Sequence, residues 1–450
     1  MAPTGCKHWY YINDPGRTGG ASFHFVVIIS LHDPVEFKRK ALQWASAFKV
    51  CCYLDSNNFR EKYSRFDCLV ACGVKAELIS DAGNAFERLK EFRQENPGWL
   101  TGFLGYDLKN ETEQLSSKKA DRLKFPDLYF FVPQYTVVIR GAEAELIADD
   151  PQRLYKAIQD QNVPVGAGHA EVEVQTRFAK AAYLETVAKI KEYIARGDIY
   201  VTNFCQEFFA ENAVINPLDV FVKLNEVSPN PFSAFFRHDQ QYILCASPER
   251  FLAKRKNKLI SQPIKGTAPR GATKTEDEAI KKRLKAHTKE QQENVMIVDL
   301  VRNDLTKSAR PGTVKTEELF GIYSFSQVHQ MISTVVCELD EQTSAVKALK
   351  NAFPMGSMTG APKISAMRLM EQYERSKRGV YSGAIGYFSP DGDFDFNVVI
   401  RTILYDCAKR YLSFQAGSAI TFHADAENEY EECLLKITAI KQVLSALSPG

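Results

Sequence analysis

The apolar residues of this sequence come in short runs. FHFVVIIS at 23–30, CCYL at 51–54 and LYFFVPQYTVVI at 128–139 are each bounded by polar or turn-forming residues. Runs of this length read as buried strands and are far too short to span a bilayer. FHFVVIIS also lacks a basic segment immediately before it and a small-residue cleavage site after it, so it does not read as a leader. Between these runs lies a charged helical stretch, NAFERLKEFRQENPG, which stops at Pro97-Gly98. The first 160 residues therefore mix α and β.

From about residue 179 the pattern becomes denser. AKAAYLETVAKIKEYIARGD has apolar positions at helical spacing and ends on Gly197, and strand-like runs follow at 200–210, 232–237 and 241–245. Thr275-Glu276-Asp277-Glu278 has the form of a capping box opening a charged helix that runs through 296 into MIVDL. Near the end, Leu434, Leu435, Ile437, Ile440, Val443, Leu444 and Leu447 form one broad stripe, which predicts an amphipathic helix over AENEYEECLLKITAIKQVLSAL. Between the two regions, QNVPVGAGHAEVEVQTRF (161–178) carries Pro and Gly amid polar residues without periodicity. It divides the chain into an N-terminal region, 1–165, and a second region, 179–450, in which the chemistry is expected.

With 450 residues, 45% of them apolar, the chain can bury a sizeable core. Its 57 basic and 55 acidic residues leave a formal charge of +2 with no long basic run, which argues against a nucleic acid or an anionic membrane as partner. Ten cysteines are scattered without a CxxC pair, the usage of reduced thiols in a cytosol. None sits in a glycine-flanked nucleophile elbow.

Several clusters could carry chemistry. Glu290 and Glu293 lie three positions apart on one predicted helix, and Glu429 and Glu432 repeat the spacing on another, so each pair projects from one helix face. Two such pairs could converge on Mg²⁺, which takes a few carboxylates and leaves room for water or an anionic substrate. Each pair taken alone reads more readily as a solvated acidic face. Gly417-Ser418-Ala419 follows a strand-like run where backbone N–H groups could meet an anion, and PMGSMTGAPK at 354–363 is a second such loop. His329 stands alone in an apolar run, the usual setting of a satisfied core histidine. Lys265, in SQPIKGTAPRG, sits between a strand-like run and a Gly-Thr turn, where a lysine either reaches solvent or loses charge in a pocket.

Taken together these segments resemble the chorismate-utilising enzymes. The resemblance rests on nine motifs in order: GDIYVTNFCQEF, ASPERF, PIKGTAPRG, ENVMIVDLVRNDL, VHQMIST, GSMTGAPKISAM, YSGAIGYFSPDG, VVIRT and AENEYEECLLK. It implies an α/β (α+β) fold of two antiparallel sheets packed face to face with helices outside. Within the family, PIKGT resembles the aminodeoxychorismate synthase component I branch, whereas anthranilate synthases typically read PIAGT. The isochorismate and salicylate synthases carry a lysine in the region of Ile199-Tyr200-Val201, and none is present. The implied reaction replaces the C4 hydroxyl of chorismate with ammonia through a covalent lysine adduct. The alternatives are the anthranilate reaction and a non-catalytic subunit binding chorismate or tryptophan.

The resemblance also implies roles. Lys265 would be the nucleophile, Glu249 of ASPERF the general acid, and His329 a catalytic histidine near the leaving group or the pyruvyl side. Glu290, Glu293, Glu429 and Glu432 would form the Mg²⁺ shell, with Lys436 helping to neutralise the ring carboxylate. Tyr387 and Arg401 would hold the enolpyruvyl carboxylate, Gly266 and Thr267 would line the ring, and Gly417, Ser418 and Ala419 would supply backbone donors. In YLDSNNF, Leu54, Asp55 and Ser56 would line a tryptophan site. A separate glutaminase (glutamine amidotransferase) subunit would supply ammonia, and the location would be cytoplasmic. The sequence departs from the family pattern at Val201, at Gly417-Ser418-Ala419 where relatives show a glycine triplet, and at Gln206-Glu207-Phe208 where they show QRF.

Overall fold

The computed structural model describes residues 6–12, 24–163 and 170–446. Among the described residues all strand pairs are antiparallel, and apart from the short pair Ala170–Glu171 with Val214–Ile215 the strands form two sheets that share two long strands. The first sheet runs in the order Cys6–Ile12, His24–Ser30, Glu143–Ala148, Leu128–Arg140, Cys68–Ser80, Val50–Asp55, Phe232–His238, Gln241–Ser247, Thr402–Asp406, Tyr411–Thr421, Val201–Ala210. The second leaves the far end of Leu128–Arg140 through Leu100–Leu104 and continues with Ala384–Phe388, Phe394–Asn397, Arg250–Arg255, Lys258–Gln262 and Val328–Glu338. Ile264–Pro269 and Lys315–Ser324 complete it, both paired with Val328–Glu338.

The shared strands Cys68–Ser80 and Leu128–Arg140 pass from one sheet to the other at a register break between Val74 and Ala76. Gly73 makes the turn possible. Its φ is +67°, and a Cβ there would stand 2.9 Å from Gln134 Cβ.

Period-two alternation then sorts the side chains into layers. On Val50–Asp55, Cys51 and Tyr53 face a helix-covered core, while Val50 and Cys52 face the space between the sheets. Phe236 fills that space, its ring centroid 5.4 Å from Phe103, 5.9 Å from Tyr129 and 6.1 Å from Phe131. Helices Pro34–Ser46, Lys180–Ala195, Pro217–Val227 and Ala426–Lys436 bury apolar residues on the outer face of the first sheet, and Ala85–Glu95, Thr288–Thr306 and Ala345–Ala352 do so on the second. The implied α/β fold of face-packed antiparallel sheets flanked by helices is the one observed, with the two sheets continuous through the shared strands. Among the described residues no helix is long and apolar enough to cross a membrane.

Three local expectations are corrected. The charged helix over 275–296 is two helices, Lys274–Ala286 and Thr288–Thr306, because His287 leaves helical geometry at ψ 107° and caps the second. The first is capped by Thr273, whose hydroxyl accepts from Glu276 N–H at 3.2 Å, and the Glu276 carboxylate accepts from Ala272 N–H, one residue before the cap, at 2.9 Å, so the cap lies two residues earlier than Thr275. The C-terminal helix breaks at Ile437 into Ala426–Lys436 and Thr438–Ala446, and Leu447 lies outside the described residues. The expected boundary at 165 also lies outside them, and strands from either side of it pair directly, Val50–Asp55 with Phe232–His238 and Leu100–Leu104 with Ala384–Phe388.

Candidate active site

Lys265 sits at a register break in its strand: Ile264 pairs with Ile332 and Thr267 with Gln330, leaving Lys265 and Gly266 outside the ladder. Gly266 has φ +96° and packs against Glu290 and Met331. Thr267 beside it is exposed. Among the described residues the Lys265 side chain has no hydrogen bond or ion pair, and its charge acts on Glu249, Glu293 and Glu432.

Glu249 lies in the tight connection between Gln241–Ser247 and Arg250–Arg255. Its N–H donates to Ser247 Oγ at 3.2 Å, and its carbonyl accepts from Val398 N–H at 3.0 Å, so its backbone is fixed. The side chain is buried, and burial pushes its carboxyl up to about 7 against the opposing pull of Ser357, Lys265, Ile264 N–H and Lys436. The buried Ser357 hydroxyl beside it makes no well-formed hydrogen bond among the described residues.

Across the site, Gly417, Ser418 and Ala419 pair on one side with Cys205, Phe204 and Asn203, while the next strand, Thr402–Asp406, reaches only to Phe414. Their other edge has no strand partner there. Lys436 donates to the Gly417 carbonyl at 2.8 Å and pairs with Glu432 at 2.6 Å. Burial lowers the Lys436 ammonium, but the Glu432 carboxylate more than offsets this and holds it above its ordinary value. Arg401 has φ +54°, a strained conformation for an arginine, and its guanidinium has no hydrogen bond or ion pair among the described residues. Burial draws its pKa down against the opposing pull of Tyr381 and Glu432.

Each acidic pair lies on one helix, Glu290 and Glu293 on Thr288–Thr306 and Glu429 and Glu432 on Ala426–Lys436, and charges of the two pairs act on one another. Glu293 and Glu429 are both held up by burial and feel the charge of Glu432, and Glu293 also feels Glu290. Ser418 Oγ donates to Glu429. The cluster includes a residue not singled out in the sequence: Lys289 Nζ lies 3.5 Å from Glu429 Oε1 and 3.8 Å from Glu293 Oε1. Among the described residues no three Asp, Glu, His or Cys side chains are closed around a common point as a metal cage. The donor set, four carboxylates on two rigid helices, has the hard-oxygen chemistry that suits Mg²⁺.

Two expected site residues lie elsewhere. Tyr387 is not beside Arg401; it lines a separate cavity with Leu54, Asp55 and Ser56, packed against Phe66 at 4.9 Å and Trp99 at 5.7 Å. Tyr381, six residues earlier in the same motif, is the tyrosine near Arg401. In that cavity Asp55 is engaged by Lys38 at 3.0 Å and by Tyr53 at 2.7 Å. His329 is fully buried with both ring nitrogens occupied, Nδ1 by Ser324 Oγ at 2.9 Å and Nε2 by Asp277 Oδ1 at 2.8 Å. Asp277 also accepts from both Arg270 Nε and Nη2 at 2.9 Å and from Gly271 N–H at 2.8 Å. This network fastens the end of the Lys265 strand and leaves no ring nitrogen free for a substrate.

Residues 49–442 match the family described as chorismate binding enzyme. The chain is 34% identical over 353 residues to aminodeoxychorismate synthase component 1 of Klebsiella aerogenes, covering 78% of each. It is 36% identical over 374 residues to aminodeoxychorismate synthase of Streptomyces griseus, a match that takes in 78% of this chain and only 51% of that protein. Anthranilate synthase component 1 of Cereibacter sphaeroides is 32% identical over 366 residues, 76% of this chain and 73% of that one. Among solved structures, anthranilate synthase component I from Streptococcus pneumoniae superposes with a TM-score of 0.74 at 26% identity, covering 85% of this chain and 93% of that one. Sequence motifs, fold and the site that joins them agree: this chain belongs to the family of chorismate binding enzymes.

Proposed function

We propose that this chain aminates chorismate at C4, the reaction of an aminodeoxychorismate synthase component I, with ammonia supplied by a separate glutaminase. The observation that carries this reading is Lys265, an amine without a hydrogen-bond or ion-pair partner among the described residues, whose charge acts on Glu249, a carboxyl held near neutrality. That pair suits a displacement needing one nucleophile and one acid.

Arg401 and Lys436 offer cationic groups for the two carboxylates of chorismate. Neutral Lys265 Nζ attacks C2; the ring double bonds shift, and the C4–O bond breaks as Glu249 gives its proton to the hydroxyl, which departs as water. Ammonia then attacks C4, the double bonds shift back, and the C2–N bond to Lys265 breaks. The proton lost by the incoming ammonia returns to Glu249, so the net change is chorismate plus ammonia to 4-amino-4-deoxychorismate plus water. Mg²⁺ held by Glu290, Glu293, Glu429 and Glu432 would neutralise and fix the ring carboxylate.

The relatives also include anthranilate synthases, in which pyruvate would be lost as well, and Lys265 is the residue that favours the first reading. Turnover of chorismate with ammonium salts and Mg²⁺ separates them by product. The expected product retains its enolpyruvyl group, and anthranilate as the main product would refute the assignment. Glutamine is expected to support turnover only after a glutaminase is added.

A further inference from the structure

Lys289 is placed against its own helix. It lies in the first turn of Thr288–Thr306, where the helix dipole favours acids, and it precedes Glu293 by four positions, the weaker order for a Lys–Glu pair. The local sequence gives the ammonium no reason to be there, so the reason is tertiary. Its side chain is 48% exposed, yet its tip contacts Glu429, whose side chain is 3% exposed, and Glu293, at 14%. A flexible arm from solvent thus delivers one positive charge into a nearly buried group of carboxylates. Lys436 pairs with Glu432, whose own side chain is 45% exposed.

From this geometry we infer that Lys289 is a tethered counter-ion which occupies the carboxylate cluster when no divalent cation is present and withdraws when one enters. Glu293 and Glu429 are nearly buried, so their charges repel where water screens them little, and a cation nearby offsets that repulsion. Lys289 supplies one from the chain itself, placed between Glu293 and Glu429, in addition to the charges of Lys265 and Lys436 that act on the same group. Metal entry is therefore an exchange. The dication gains the carboxylates, Lys289 gains solvent, and the difference sets the metal affinity. The inference rests on the proposed divalent-cation site and adds to it a residue that is not a ligand yet weakens binding.

The test is direct binding of Mn²⁺ by titration calorimetry and by loss of its free-ion paramagnetic signal, with wild type, Lys289→Gln and Lys289→Arg. The Gln variant is expected to bind Mn²⁺ with a Kd roughly three- to thirtyfold lower, the range for removing a partly buried competing charge. The Arg variant, which keeps the charge, should stay near wild type. In chelator the Gln variant should melt below wild type, and saturating Mn²⁺ should raise its Tm by more than it raises that of wild type. Equal Kd values and equal Tm shifts for all three proteins would overturn the role of Lys289 while leaving the metal site intact. Weaker binding by Lys289→Gln would make Lys289 a supporting residue, and would also overturn it. Absence of Mn²⁺ binding by wild type would remove the metal site and the inference together.

Discussion

Gly266 and Glu290 meet so closely that a Cβ on the glycine would stand 3.2 Å from Glu290 Oε2 and 3.3 Å from its Cβ. The two join the strand of Lys265 to the helix carrying one acidic pair. Gly266→Ala should therefore displace both at once and force an unfavourable φ. The expected cost is about 1–3 kcal/mol in stability, with a loss of kcat exceeding what the fall in Tm explains. Thermal melts alongside kinetics check this, and unchanged kcat would contradict the contact.

Glu249 gives a pH signature. As an acid with a pKa raised to about 7, it delivers its proton below that value, so kcat/KM for chorismate at fixed free ammonia should fall as pH rises through about 7. Stability follows the same sign. The folded protein holds this proton more tightly than the unfolded chain, whose carboxyl titrates near 4.5, so wild type should lose stability relative to Glu249→Gln as pH rises from about 4.5 to about 7. Denaturant titrations across that range provide the check, and parallel curves would refute it.

Lys265 should form an adduct. Incubation with chorismate and Mg²⁺ without ammonia is expected to add mass to the peptide containing PIKGT, as a secondary amine that survives without borohydride. Lys265→Arg and Lys265→Ala should each lose on the order of a hundredfold or more in rate. No adduct, with near-normal turnover by the Arg variant, would leave Lys265 an electrostatic contact.

Glu293→Gln and Glu432→Gln are expected to lower turnover on the order of a hundredfold with small changes in Tm, because each removes a charged oxygen from the proposed cation shell rather than a core contact. Full activity of both variants, or of wild type in excess chelator, would count against that shell.

Tyr387 and Arg401, both expected at the enolpyruvyl carboxylate, should behave differently. Tyr387→Phe is expected to leave KM for chorismate within about twofold, since its ring packs on Phe66 and Trp99 in another cavity, whereas Arg401→Lys should raise KM at least about tenfold by losing a two-point contact. Steady-state kinetics decide between them.

What could be read in the sequence follows from how local each signal is. The acidic pairs were legible as pairs because i, i+3 spacing places two side chains on one helix face whatever lies around them, whereas Lys265 stood out only through the family resemblance of PIKGT, and its register break inside a strand was not legible. The choice between Tyr381 and Tyr387 was not, since both lie in one motif and only the pairing of Ala384–Phe388 with Leu100–Leu104 decides which cavity each side chain reaches. The engagement of both His329 nitrogens depends on Asp277, on a different element. Lys289 was hidden for the same reason: next to Glu290 in sequence it reads as one more surface charge, and only the approach of Glu429 from a distant helix gives it a partner. The helix breaks at His287 and Ile437 leave the apolar periodicity almost intact, so periodicity alone runs through them.

The interleaving of the strands bears on how such a chain is made. Leu100–Leu104 leaves the ribosome early but completes its pairing only when Ala384–Phe388 appears, and Val50–Asp55 waits for Phe232–His238. During synthesis these sheet edges stand open, an invitation to wrong pairing that a growing chain escapes only by delay or by a chaperone. Tyr411–Thr421 and Ala426–Lys436 emerge later still, and the helix carries half of the acidic cluster, so a nascent chain cut short before them has neither a finished sheet nor a finished site.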